Sequence, residues 1–159
     1  LPSDSLVEAE VLDQARALLA KSEGKLLLPC DMVIADAFDA EAKKQTLPLG
    51  DVPAGWRVLD IGPETVKAFG AEIAKAGTIV WNGPMGVFEF PRFAEGTYAV
   101  AKAVADSGAV SIIGGGDSVS AINQSGLSDK ITHISTGGGA SLEMLEGLEL
   151  PGVALISDK

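Results

Sequence analysis

Three glycine-rich loops carry the residue types from which a reactive site could be built. They are Trp81-Asn82-Gly83-Pro84-Met85-Gly86-Val87-Phe88-Glu89, Gly114-Gly115-Gly116-Asp117-Ser118 and Ser135-Thr136-Gly137-Gly138-Gly139-Ala140-Ser141. Each follows an apolar run and precedes a helix-like segment. Glycine lets backbone amides approach an anion closely and adopt positive φ without strain. Amides at a helix N-terminus carry partial positive charge. Three such loops in one strand–loop–helix context suggest one cleft where bare backbone meets a phosphorylated ligand.

In the second loop, Asp117 would repel a bare phosphate. It fits if it holds Mg²⁺, which takes one or two carboxylates together with phosphate and water oxygens. Ser118 could add a hydroxyl. The same loop is equally compatible with Asp117 as a simple N-cap and glycines that only permit packing. The third loop offers Ser135 or Thr136 as caps, bare amides at Gly137 to Gly139, and Glu143 to close a cap. In the first loop, Asn82 is a neutral donor within reach of a phosphate and Pro84 stiffens the turn. Glu89 is either a ribose-binding carboxylate, as in other nucleotide sites, or a solvated loop charge.

Competing motifs fail. At Gly24-Lys25 the P-loop pattern breaks, because Leu26 follows the lysine and Leu19 stands where the first glycine belongs. No G-x-G-x-x-G follows a strand-like run. Gly116-Asp117-Ser118-Val119-Ser120 ends in serine where a nucleophile elbow needs glycine. His133, the one histidine, lies in a strand-like run and reads as structural. Cys30 reads as a small buried hydrophobe. Asp36, Asp39 and Glu41 lack the spacing and glycine of a calcium loop and read as a solvated acidic stretch.

Alternating elements must position these loops. Residues 6–20 show an apolar face (Val7, Val11, Ala15, Leu18, Leu19) at helical spacing, with Ser3, Asp4 and Ser5 as N-cap candidates. Residues 25–28 and 32–35 read as short strands broken at Pro29, and 37–55 as a surface loop. The stretch 37–55 is equally readable as a small excursion. A strand at 57–61 leads through Gly62 to Pro63, which suits a first helical turn, and that helix runs to about residue 76. Strands at 78–81, 110–113 and 131–135 each lead into a glycine loop. Helices follow at about 93–106 and 117–124, with a third ending at Gly147. Residues 148–159 form a tail. Such alternation predicts an α/β fold with a mainly parallel sheet, whose ligands bind beyond the carboxyl ends of the strands.

The chain has 159 residues, 19 glycines and 5% aromatics, and its formal net charge is −10. That charge argues against nucleic acid or anionic membrane as partner. No apolar run approaches the ~20 residues of a bilayer span. A single cysteine excludes an internal disulfide and fits a reducing, cytoplasmic setting. The first residue is Leu1, which reads as a processed or partial chain.

The loop segments resemble the signature segments of the phosphoglycerate kinase family. Leu28-Pro29-Cys30-Asp31, Asp60-Ile61-Gly62-Pro63-Glu64 and Leu150-Pro151-Gly152-Val153 resemble that family too, in matching order along nearly the whole chain. The resemblance implies a three-layer Rossmann-like nucleotide domain, one of two joined by a hinge. It implies phosphoryl transfer between 1,3-bisphosphoglycerate and Mg-ADP, giving 3-phosphoglycerate and ATP, by a monomer. Carried over residue by residue, Leu59 lines the base pocket and Glu89 binds ribose. Gly115, Gly116, Asp117 and Ser118 bind the nucleotide phosphates, with Asp117 on Mg²⁺. Asn82 lies near the transferred group, which Gly138 and Gly139 stabilise in transit. Ser118 stands where the family usually has threonine.

The resemblance covers only the later part of the nucleotide domain. The family's glycine-rich segment with a phosphate-binding lysine has no counterpart here, nor does its basic N-terminal domain, which holds the phosphoglycerate. The expectation is a half-site inactive alone, with residues 148–159 a tail that would return toward the other domain.

Overall fold

The computed structural model describes residues 4–135 and 137–156. Two of the cap candidates, Ser3 and Thr136, lie outside them. Six strands and six α-helices are described: β1 (Asp31–Ala35), β2 (Lys44–Pro48), β3 (Arg57–Ile61), β4 (Thr78–Asn82), β5 (Val110–Gly114) and β6 (His133–Ser135), with α1 (Leu12–Lys21), α2 (Pro63–Ile73), α3 (Glu95–Asp106), α4 (Gly116–Ser125), α5 (Gly138–Leu145) and α6 (Pro151–Ala154). The expected α/β class holds. The chain divides into two units, the first comprising residues up to Ala71 with Met85–Ala99, the second Glu72–Pro84 with the residues from Val100 on.

The first unit is built on an antiparallel sheet in the order β2-β1-β3. Its central strand is buried on both faces. Ala35 and Leu59 join Ala42 and Phe93 in one cluster, while Met32, Ile34 and Val52 form another. That alternation is the period-two pattern of a strand covered on both sides. β2 lies within the stretch expected to be loop. Its Lys-Gln-Thr-Leu-Pro sequence is polar because it is an edge strand with mostly exposed side chains, and Pro48 ends it.

Residues 25–28 form no strand, and Leu26, Leu27 and Leu28 are exposed. A strand there would need a neighbour to satisfy its amides, and none of the described ladders includes it. The helix expected at 6–20 begins later, as a 3-10 turn at Ala9–Val11 leading into α1, and it buries none of its residues. Its expected caps are engaged elsewhere: the Asp4 carboxylate pairs with Arg57 (3.6 Å), and the Ser5 hydroxyl accepts the Val58 N–H (2.8 Å).

Asp31 explains two of the signature segments. Its carboxylate accepts the amides of Glu64 (3.0 Å) and Thr65 (2.8 Å), the second and third residues of α2, and the Thr65 hydroxyl at 2.6 Å. It therefore caps a helix more than thirty residues away. A Cβ on Gly62 would overlap that carboxylate. Burial pushes the Asp31 acid up, but the Thr65 hydroxyl and the two amides outweigh it and hold the group below the usual carboxylate range. Cys30, expected inside, is exposed, and its N–H donates to the Thr65 hydroxyl (3.0 Å).

The second unit holds the expected parallel sheet, in the order β4-β5-β6. Trp81, Val104, Ile113, Ala121 and Ile122 are buried in it. Just before β6, Ser111 and Thr132 exchange hydrogen bonds: each hydroxyl accepts the other's backbone N–H, at 3.0 and 3.1 Å. The tail contains one short helix, α6, followed by exposed Leu155 and Ile156. Among the described residues, no helix is long and apolar enough to cross a membrane.

Candidate phosphate site at the carboxyl edge of the parallel sheet

In the second unit the strand register aligns the three loops. Asn82 on β4 pairs with Gly114 on β5, which pairs with Ser135 on β6. The chain therefore leaves all three strands at the same level, on the carboxyl edge where α/β sheets bind ligands.

Packing there excludes side chains. Gly115 sits at φ +87°, where a Cβ is strained and would also run into the Asn82 side-chain oxygen. A Cβ on Gly138 would stand 2.5 Å from the Gly115 nitrogen and 2.6 Å from its Cα. The loop after β5 and the start of α5 thus touch backbone to backbone, with the Asn82 amide beside them. Gly116 and Gly139 have open space around them.

The helix starts are bare. α4 has Gly115 as N-cap and α5 has Gly137, and neither is capped by a side chain. First-turn amides have no intrahelical acceptor, so two sets of N–H donors begin beside each other. Glu143 does not close a cap; the Ser135 hydroxyl accepts the Gly137 N–H at 3.3 Å and shares a hydrogen bond with the Ser141 hydroxyl at 3.2 Å. Asp117 is not the cap either. It is the second residue of α4, exposed, in the first turn.

Ser118 has a task that the sequence did not suggest. It is 1% exposed, and its hydroxyl accepts the Gly83 N–H at 2.6 Å. The Trp81 indole N–H donates to the Gly83 carbonyl, also at 2.6 Å. Gly83, at φ +119°, is thus gripped at both its N–H and its carbonyl, which fixes that residue beside α4.

Cations are scarce. The unit's described lysines are all paired: Lys75 with Glu72 (2.8 Å), and Lys102 and Lys130 both with Asp106. Among the described residues no cluster of three or more His, Cys, Asp or Glu could hold a metal by itself. A phosphate here would meet amides, the Asn82 amide group and whatever cation Asp117 retains.

Leu59 and Glu89 belong to the first unit. The Leu59 side chain is buried and packs among Ala35, Ala42 and Phe93. β3 is the sheet's edge opposite β2, and its inward face carries that residue. The Leu59 carbonyl accepts the Val87 N–H (2.8 Å). Glu89 is exposed, one residue beyond buried Phe88. Sequence reasoning missed Asp60 and Thr97, both buried, which hold the segment from Met85 on. Their traces in the sequence were the segment Asp60-Ile61-Gly62-Pro63-Glu64 and the glycines they abut, Gly86 and Gly96.

Comparison with known proteins identifies the architecture. The phosphoglycerate kinase family model matches residues 3–148. Phosphoglycerate kinases of Herpetosiphon aurantiacus and Chloroflexus aurantiacus are 60% and 57% identical over 98% of this chain. The phosphoglycerate kinase structure from Coxiella burnetii superposes with a TM-score of 0.91 at 43% identity over 97% of this chain. That from Pyrococcus horikoshii gives 0.79 at 37% identity over 91%. The chain spans about 40% of the length of the curated relatives it matches. The chain belongs to the phosphoglycerate kinase family.

Proposed function

We propose that this chain supplies the phosphate-holding part of a nucleotide site in a kinase that moves a phosphoryl group between 1,3-bisphosphoglycerate and Mg-ADP, giving 3-phosphoglycerate and ATP. The observation that carries this reading is the seat formed by Asn82, Gly115 and Gly138, where backbone replaces side chain beside two uncapped helix starts. Amides of Gly115, Gly116 and Asp117 take the nucleotide phosphates. Those of Gly138 and Gly139 face the group in transit, and Asn82 donates near it. Such chemistry needs positioning and charge stabilisation more than covalent participation.

Asp117 fits Mg²⁺. It is exposed in the first turn of α4, beside the amides that would hold the phosphates. One carboxylate with phosphate and water oxygens is an ordinary magnesium environment. When bound, the metal neutralises charge on the phosphate oxygens. Ser118 contributes by holding Gly83, Glu89 by binding ribose, and Leu59 through its carbonyl hold on Val87. The chain spans about 40% of its relatives' length, and on this reading the cationic groups that grip phosphoglycerate lie in the remainder, so turnover needs both. A monomer in the cytoplasm is the setting this reading expects.

The test is a chimera in which this chain replaces the matching 40% of the Herpetosiphon aurantiacus kinase. It should form ATP from 1,3-bisphosphoglycerate and Mg-ADP in a coupled assay, while the chain alone shows none. A folded chimera without turnover, or robust turnover by the chain alone, would contradict the reading.

A further inference from the structure

Asp60 ends up in an unfavourable place for a carboxylate. It lies on β3 and is 2% exposed. One oxygen accepts the Gly96 N–H at 2.8 Å, and the other accepts the Ile61 N–H at 2.9 Å. A Cβ on Gly86 or on Gly96 would collide with that carboxylate, so both glycines are pressed against it. Thr97, the next residue, is fully buried, and its hydroxyl accepts the N–H groups of Met85 (3.1 Å) and Gly86 (3.2 Å).

These contacts form one chain of control within the first unit. Asp60 fixes Gly96, Gly96 places Thr97, and Thr97 holds the backbone at 85 and 86. Asp60 also seats Gly86 directly, while the neighbouring Leu59 carbonyl holds Val87 (2.8 Å). Phe88 is buried next, and Glu89 emerges exposed immediately after it. We propose that Asp60 is a positioning residue that sets Glu89 for the nucleoside, acting through Gly86, Gly96 and Thr97. This rests on the reading of Glu89 as the ribose-binding carboxylate.

Burying an ion is costly unless it is well paired. Desolvation pushes the Asp60 acid up to about 6, against the opposing pull of the Gly96 and Ile61 amides; Glu95 raises it further and Lys44 lowers it. Lys44 on β2 and Glu95 on α3 pair at 2.7 Å across a cleft of about 270 Å³ that Arg92 and Asp60 also line. Asp31 on β1 lines a second cavity with it. A protonated Asp60 presents an O–H toward one of two amide donors and loses that bond. The hold on the loop is therefore half lost at about pH 6, nearly full well above it, and weakens further as pH falls.

Global stability moves the other way. An acid whose folded pKa is raised above its ordinary value binds protons more tightly when folded, so its contribution to stability rises as pH falls from about 6 toward 4. A purely structural Asp60 would make adenosine affinity follow stability. A positioning Asp60 makes the two diverge.

The experiment uses the chain with adenosine and Mg-pyrophosphate as separate probes. Asp60→Asn at pH 7.5 should weaken adenosine binding about tenfold, an order set by one lost charge-assisted hydrogen bond. It should leave Mg-pyrophosphate binding within about twofold and speed amide exchange at residues 85–88. In a double variant with Glu89→Gln, the two adenosine losses should not add. If Asp60→Asn does not fold, the wild-type chain should lose adenosine affinity severalfold between pH 7 and pH 5 without losing thermal stability. Additive losses, or adenosine affinity unchanged in Asp60→Asn and flat with pH, would overturn the positioning role alone. A wild-type chain that binds neither probe would overturn the nucleotide reading and this inference with it.

Discussion

Asp117→Ala should lower the affinity for Mg-ADP by roughly ten- to a hundredfold and leave metal-free ADP within about twofold, the range expected for one charged contact. Asp117 stands in the first turn of α4 beside amides that favour an anion. Its own charge opposes a bare phosphate and favours a metal-bound one. Removing it deletes a ligand from the metal complex but also a repulsion from the metal-free one. Titration calorimetry with and without Mg²⁺ checks this directly. Equal losses in the two titrations would remove the metal role from Asp117 and leave it a surface carboxylate.

Gly138→Ala should be the most damaging single methyl in the second unit. The new Cβ would stand 2.5 Å from the Gly115 nitrogen and 3.3 Å from the Asn82 oxygen. The first obstacle is backbone, which cannot swing aside as a flexible side chain would. Relief requires α5 to withdraw from the loop after β5. The expected cost is about 1–3 kcal/mol of stability, as for other overpacked sites, together with loss of ADP binding whether or not Mg²⁺ is present. Gly139→Ala supplies the contrast. It has nothing within 4 Å of a new Cβ and lies inside a helix, so stability should stay within about 0.5 kcal/mol or rise. Urea unfolding and ADP titration of both variants separate steric exclusion from mere glycine loss. Normal ADP affinity in Gly138→Ala would show that the backbone contact with Gly115 does not shape the site.

The parts of this fold that could be read from the chain are those whose signal is local. β4 and β5 carry apolar runs and β6 is short, but each ends in a glycine loop, and the structure places all three ends in one register. Pro63 marks the start of α2 because its missing N–H costs nothing there. What escaped notice depends on partners distant in sequence. β2 is polar over its first three residues, packs only Leu47 inward, and becomes a strand because β1 lies beside it. The amphipathic face of α1 suggested burial, yet Leu18 and Leu19 are exposed. Periodicity reports what a helix could bury, not whether a surface is there to receive it.

The site shows the same division. Gly115, Gly116, Asp117, Gly138 and Gly139 were visible because bare amides at helix starts have a sequence signature. Ser118 carries the same signature, but its burial and its bond to Gly83 give it a supporting task. Cys30 was expected inside and is exposed, while Leu59, expected to line a base pocket, packs among Ala35, Ala42 and Phe93. Asp31 and Asp60 stood in the family-like segments, but nothing local told what they do. Each acts on amides that lie more than thirty residues away, a pairing visible only after folding.

The central claim is that the carboxyl edge of β4-β5-β6 holds nucleotide phosphates through backbone amides. The most direct test is an amide-resolved magnetic resonance titration of the chain with Mg-ADP, with NAD as the competing ligand. The account predicts saturable shifts at Gly115, Gly116, Asp117, Gly138 and Gly139, with Gly83 following through Ser118, and weaker effects from NAD. Shifts that leave those amides unmoved at saturating Mg-ADP, or that appear there only with NAD, would contradict it.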